Sequence, residues 1–201
     1  MTPHDFLPYP TGNLCNADPR VRALPAAIKP LIPGRPIAGH ARTVRITPGQ
    51  NGAVHRAVHV AQPGDLLVVD GGASERYGPF GDLLAEGCKA KGIAGAVFDC
   101  TIRDSAEIAA LGFQIFSRGF HPEATAKTEP GETDISLVIG SVPIAPGDIV
   151  VGDDDGVVVI PAKIASEVLT AVAQIAAREV TIRNRILKGE TTLEIFNLNA
   201  P

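Results

Sequence analysis

At 201 residues, 45% hydrophobic and 20% charged, the chain has the balance of one globular domain with a sizeable core. There is no Trp and aromatic residues make up only 4%, so that core must be aliphatic. A formal net charge of −4, without a long Lys/Arg run, argues against a nucleic-acid or anionic-membrane surface. Cys15, Cys88 and Cys100 are far apart and form no CxxC pair, which disfavours a disulfide framework or a zinc site and leaves free thiols. No apolar run reaches the length of a membrane span, and MTPHDFLPYP has no signal-peptide pattern, so a cytoplasmic protein is expected.

Residues 1–36 contain Pro3, Pro8, Pro10, Pro19, Pro25, Pro30, Pro33 and Pro36. Proline breaks helices, so this stretch predicts an irregular arm with one short helix near 24–28. The string IAGHARTVRI, 37–46, alternates in part like a half-buried strand, and 53–61 reads as a short helix. A strand over 66–70 then ends in Gly71-Gly72, and a loop leads to Gly81-Asp82 and a helix over 83–91 that stops at Gly92. A second apolar run, 93–98, leads into Thr101-Ile102-Arg103-Asp104.

The next segment, SAEIAALG, has Ile108 and Leu111 three apart and Gly112 as its C-cap. A buried strand at 113–117, a polar loop at 120–134 and a strand at 135–139 follow. The strings IVV and VVVI flank the turn Gly152-Asp153-Asp154-Asp155-Gly156 as a hairpin, closed by Pro161. A long amphipathic helix fills 163–188, with Ile164, Val168, Val172 and Ile175 on one face. The order predicts an α/β protein: a single β/β/α layered domain over 37–162, preceded by the 1–36 arm and followed by a C-terminal helix and tail, 163–201, reaching beyond its own domain.

The chemistry concentrates between Asp70 and Asp104. Ligands of alternating strand-and-helix folds usually bind at the carboxyl edge of the sheet, where this stretch puts its glycines, Asp82 and the Arg103-Asp104 pair. Glycines let backbone N–H groups approach an anion, and a helix start adds partial positive charge. Arg103 offers a planar fork for a carboxylate, and Asp104 an oxygen of the kind hard cations prefer. Each has a plainer reading. Asp104 with Glu107 has capping-box spacing, Asp82 stands at a helix start, and Arg103 can pair with Glu107. The Asp153–Asp155 run reads as a solvated turn, and His55 and His59, four apart, lack a third metal ligand. Serine-hydrolase, Walker and dinucleotide motifs are all missing.

The Asp82-x20-Arg103-Asp104 spacing, set between VVDGG and LGF…RG and followed by PGDIVVGDDDGVVVIP, resembles the RraA-like family from about residue 31 to 195. It is most similar to the metal-dependent branch, the 4-hydroxy-4-methyl-2-oxoglutarate / 4-carboxy-4-hydroxy-2-oxoadipate aldolases. The resemblance implies a swivelling-domain-like fold and a homotrimer or homohexamer with the site between subunits. It makes Asp82, Arg103 and Asp104 catalytic. Arg103 would bind the pyruvyl carboxylate together with the start of the helix at Gly81, Asp82, Leu83 and Leu84. Asp104 would bind Mg²⁺ or Mn²⁺ directly and Asp82 through water. A neighbour's Glu179 would also act through water, with Glu190 and Glu194 as weaker matches. RraA itself, a ribonuclease E inhibitor, marks the alternative of a non-catalytic regulator of a protein partner. RraA-type members lack the Asp after the Arg, and this chain keeps it. The activity implied is retro-aldol cleavage of a 4-hydroxy-2-oxo acid to pyruvate, with oxaloacetate decarboxylation beside it and no nucleic-acid or membrane partner.

Overall fold

The computed structural model describes residues 1–198. The strands are β1 (Arg22–Ala23), β2 (Lys29–Pro30), β3 (Ile37–Arg45), β4 (Asp65–Ser74), β5 (Gly95–Cys100), β6 (Ile115–Ser117), β7 (Glu132–Thr133), β8 (Leu137–Ile139), β9 (Val142–Ile144), β10 (Ile149–Gly152) and β11 (Val157–Ile160). The helices are α1 (Thr11–Ala17), α2 (Gly52–Val60), α3 (Asp82–Ala90), α4 (Ser105–Leu111), α5 (Ala165–Leu187) and α6 (Thr192–Ile195). Nine strands form one sheet in the order β1-β11-β10-β3-β4-β5-β6-β2, with β7 also pairing β3, while β8 and β9 form a separate hairpin.

At the sheet's centre β3, β4, β5 and β6 run parallel, each joined to the next through one of α2, α3 and α4. Strand alternation sorts the core into two layers. Leu67 and Val69 of β4 face α2 and α3, packing with Val54, Ala57, Ala85 and Cys88. Their neighbours Leu66 and Val68 face the other way, onto Leu137, Ile139, Val142 and Ile144 of the β8–β9 hairpin. Burial on both faces explains why β4 and β5 read as continuous apolar runs. A third cluster covers β10 and β11 with α1 and α5, through Leu14, Val151, Ile160, Val168 and Val172. The result is the layered β/β/α arrangement that the element order implies.

Two sequence expectations are corrected. The 24–28 segment is not helical but links β1 to β2, and the helix of the arm lies earlier, as α1. The arm is tied into the core: β1 pairs with β11, β2 pairs with β6, and Phe6, Leu14 and Ile28 are fully buried. Gly71-Gly72 is not an anion loop but part of β4, where the register with β5 shifts between Val69 and Ser74. A Cβ on Gly71 would come 2.6 Å from Cys100 Sγ, so the glycine serves close strand approach. Only Ala165, Val168 and Val172 of the 23-residue α5 are buried; Val180, Ile186 and Leu187 are exposed.

Candidate active site

Four chain segments that follow the parallel strands meet at one edge of the sheet. Asn51 and His55 come after β3, Gly78–Leu84 after β4, Arg103 after β5, and Ala124–Lys127 after β6; together they line a cleft of about 230 Å³. An adjoining hollow of about 350 Å³ is lined by Asp104, Glu107 and His121, and Arg103 forms part of both walls.

Asp104 holds the most informative conformation. It occupies the N-cap position of α4, yet its φ/ψ of 55°/40° is left-handed and its side chain caps nothing. Its carboxylate turns to the neighbouring helix instead, where Oδ2 accepts the Asp82 N–H at 3.4 Å and lies 3.3 Å from Arg103 Nε. A left-handed non-glycine residue costs energy that the surrounding structure must offset, and such residues cluster at functional sites. Neither plain reading holds: Asp104 is no cap, and Arg103 pairs with Asp104 rather than Glu107.

Gly81 makes this approach possible. It is the N-cap of α3, and a Cβ there would stand 2.2 Å from Asp104 Oδ2, inside any allowed contact. Asp82 is therefore the first helical residue and not the cap. Its Oδ1 accepts the Leu83 N–H at 2.8 Å. Leu83 and Leu84 stand in the first turn, where N–H groups have no acceptor within their own helix. In this structure the Leu83 amide is taken by Asp82, which leaves the cradle implied for a substrate carboxylate only partly open. The Arg103 N–H donates to Phe80 O at 3.0 Å and locks the β5–α4 turn against the loop that enters α3.

In the cleft's far wall Asn51 and Lys127 were not singled out from the sequence, and His55 was weighed only as half of a metal pair. Asn51 is only 7% exposed; its Nδ2 donates to Pro79 O at 2.9 Å, and its buried Oδ1 has no donor among the described residues. Burial, and secondly the charge of Lys127, push the His55 pKa down and favour a neutral imidazole. The usable signal was topological: both flanking loops leave carboxyl ends of parallel strands, the edge already assigned to Arg103 and Asp104.

The sequence thus named Gly81, Asp82, Leu83, Leu84, Arg103 and Asp104, and these come together within one chain. The acidic residues proposed from a neighbour stand elsewhere on this chain. Glu179 lies on α5, 3.4 Å from Arg183; Glu190 is held by Arg185 Nε at 2.9 Å; Glu194 caps α6. Among the described residues no group of three or more His, Cys, Asp or Glu is placed to hold a metal ion. Nor is any described helix long and apolar enough to cross a membrane.

The layered fold and the arginine-carboxylate cleft on the carboxyl edge of its parallel strands define an α/β protein with a composite site. A family model described as RraA-like, Aldolase/RraA, matches residues 11–159, and the chain belongs to that family. A relative from Halalkalibacterium halodurans bearing the name "Putative 4-hydroxy-4-methyl-2-oxoglutarate aldolase" is 41% identical over 156 residues, 78% of this chain and 74% of that one. The solved structure of the RNA-processing inhibitor RraA from Thermus thermophilus is 32% identical, with a TM-score of 0.70 over 76% of this chain and 92% of its own. RraAS2 of Streptomyces coelicolor, an unusual member of the RNase ES inhibitor RraA family, is 29% identical, with a TM-score of 0.77 over 90% and 94%.

Proposed function

We propose that this protein is a divalent-metal-dependent aldolase that cleaves a 4-hydroxy-2-oxo acid and releases pyruvate. The observation that carries the reading is the Asp104 carboxylate, turned away from its own helix toward Arg103 and the start of α3. A regulator has no need of a strained acid beside an arginine in a cleft. The name of the Halalkalibacterium halodurans relative points the same way.

Asp104 and Asp82 offer only carboxylate oxygens, the donors that suit Mg²⁺ or Mn²⁺, which commonly take one or two protein carboxylates and fill the remaining positions from substrate and water. The residues therefore fit such an ion: Asp104 would hold it directly and Asp82 through water, with Glu179 of a neighbouring subunit acting through water as well. When bound, the ion supplies Lewis-acid stabilisation of the charge that develops on the substrate's keto oxygen.

The chain's own residues do the rest. Arg103 pairs with the C1 carboxylate and fixes the 2-oxo acid at the α3 N-terminus, whose partial charge favours an anion. The Leu84 amide adds a donor, and the Leu83 amide joins it once Asp82 releases it. Asp82 orients the water that removes the C4 hydroxyl proton. The C3–C4 bond then breaks, C4 becomes a carbonyl, and the bonding pair passes into the pyruvate enolate, which is protonated at C3. Oxaloacetate loses CO₂ through the same enolate, so its decarboxylation is a side activity. No motif places a lysine for a Schiff base.

The open face of α5, with Val180, Ile186 and Leu187 exposed, supports a homotrimer or homohexamer in which this helix packs on a neighbour. Pyruvate release from oxaloacetate, with EDTA and then with added Mg²⁺, tests the function. Mg²⁺-restored release supports it. Metal-independent silence together with binding to a ribonuclease E fragment would instead support the regulator that the RraA likeness suggests.

A further inference from the structure

The proposed reaction depends on Asp104 keeping its left-handed backbone, and a φ of 55° at an aspartate has to be held there by its surroundings. Residues 99–103, which carry β5 into the site, supply the hold. On the β4 side the Thr101 N–H donates to Ser74 O at 3.0 Å, the Thr101 hydroxyl to Tyr77 O at 2.8 Å, and the Arg103 N–H to Phe80 O at 3.0 Å. On the β6 side the Ile102 N–H donates to Gly119 O at 3.0 Å, and Ile102 O accepts the His121 N–H at 2.8 Å. All but one of these donors are backbone groups, which most sequences would supply.

Arg118 adds a bond that only its side chain can make. Its Nε donates to Asp99 Oδ1 at 2.7 Å while its own N–H donates to Cys100 O at 3.0 Å, so one residue grips two consecutive residues of β5. With side-chain exposures of 15% and 7%, the pair is more buried than any other ion pair among the described residues. Burying two charges costs desolvation that their attraction often fails to offset, and an apolar pair of similar volume often serves stability as well. Stability alone therefore gives this pair no reason to be ionic. Neither residue lines the cleft or the hollow beside it, so neither is placed to touch substrate. Asp99 leaves β5 on the face opposite Phe98 and Cys100, which pack on the helix side, so the pair acts through the strand and not across the cleft.

We infer that Arg118, through its bond to Asp99, is a positioning residue that holds the end of β5 against β6 so that Arg103 and Asp104 meet the start of α3. The effect on turnover rests on the aldolase reading; the effect on backbone geometry does not. Without the bond, residues 99–103 keep their hold on the β4 side and lose part of it on the β6 side. The turn at Asp104 then relaxes to negative φ, where an N-cap aspartate bonds to its own helix and turns away from Arg103.

The test compares crystal structures, melting, Mg²⁺ calorimetry and pyruvate release from oxaloacetate in the full chain and its variants. The double variant Asp99→Leu/Arg118→Met replaces the pair by apolar side chains and should melt with the wild type. In its crystal structure Asp104 should take a negative φ and leave Arg103 Nε. Mg²⁺ should bind about tenfold more weakly and kcat should fall about a hundredfold, the scale of a misplacement of about 1 Å. Arg118→Gln puts an amide nitrogen where arginine carries Nε, and it should keep the Asp104 conformation and most of the rate. Arg118→Lys keeps the charge but has a carbon at that place, and it should keep neither. A double variant that retains φ near 55° and wild-type Mg²⁺ affinity overturns the inference. Should the double variant not fold, an unchanged Asp104 in Arg118→Lys overturns it equally. A wild type that releases no pyruvate in Mg²⁺ overturns the aldolase reading, while the Asp104 conformation in the variants still decides this one.

Discussion

Two helix starts in this molecule share one sequence pattern and use it differently. Thr191-x-x-Glu194 opens α6, and Asp104-x-x-Glu107 opens α4. At α6 both halves of the capping box form: the Thr191 hydroxyl oxygen accepts the Glu194 N–H at 3.3 Å, and Glu194 Oε2 accepts the Thr191 N–H at 2.8 Å. At α4 neither half forms. The backbone accounts for the difference. Thr191 is extended, with φ −81° and ψ 155°, which aims its side chain back at its own helix. Asp104 is left-handed, which aims its carboxylate across to Asp82 and Arg103. A working cap contributes about 1 kcal/mol. At α4 that stabilisation is forgone and a left-handed backbone is adopted, which supports the proposed role of Asp104 in the cleft.

The sharpest way to break this contrast is to replace Asp104. Asp104→Asn keeps a side chain that tolerates the left-handed region but removes the charge. Pyruvate release should fall by at least about a thousandfold, the scale on which loss of a metal's charge stabilisation is felt. Mg²⁺ binding, followed by calorimetry, should disappear with it. Asp104→Gly should likewise be inactive, yet more stable by about 1 kcal/mol in urea unfolding, because glycine takes φ near 55° without strain. Turnover at wild-type rate in either variant would show that the missing cap has another cause.

Arg103→Ala should follow with a smaller effect. Among the described residues its guanidinium is paired only with Asp104, so removal frees an acid and deletes the proposed carboxylate anchor. A drop of about a hundredfold in kcat/KM for oxaloacetate is expected, with both kcat and KM affected. Arg103→Lys should recover little, since an ammonium lacks the planar fork. At the other helix, Thr191→Ala should cost about 1 kcal/mol locally, read as faster amide exchange in α6, and leave pyruvate release untouched.

The comparison also shows what the sequence could and could not disclose. Elements with several turns or residues of period were legible: β3, β10, β11, α3 and α5 lie close to where the pattern put them. β1 and β2 were not, because two residues carry no alternation and proline hid their pairing with β11 and β6. Gly71 was misread because a glycine needed for strand approach looks the same in sequence as one needed for an anion. Asp104 and Glu107 present a capping pattern whether or not the cap forms, since only φ distinguishes them. The spacing of Asp82 and Arg103 was readable because both flank one βαβ unit. Lys127 was not, because its place in the cleft depends on bonds to Gly49 and Asn51, far away in the chain.

The mildest probe of the contrast is acid. Hydrogen bonds from the Thr191 N–H, and secondly from its hydroxyl, hold the Glu194 carboxyl below the usual value of 4.5. A carboxylate whose folded pKa is depressed stabilises the fold above its unfolded pKa, and that stabilisation is lost as pH falls through the folded value. The cap of α6 should therefore be intact at neutral pH and should loosen only once the pH falls below the ordinary glutamate range, where Glu194 takes up its proton. At α4 the Glu107 carboxylate makes no bond to the helix start. Amide exchange followed by NMR from about pH 6 down to about pH 3 should show residues 192–194 losing protection first, with Ala106 and Glu107 unaffected in the same window. If the two helix starts loosen together, Glu107 is capping α4 in solution, and the difference in backbone on which the reading of Asp104 rests is not there.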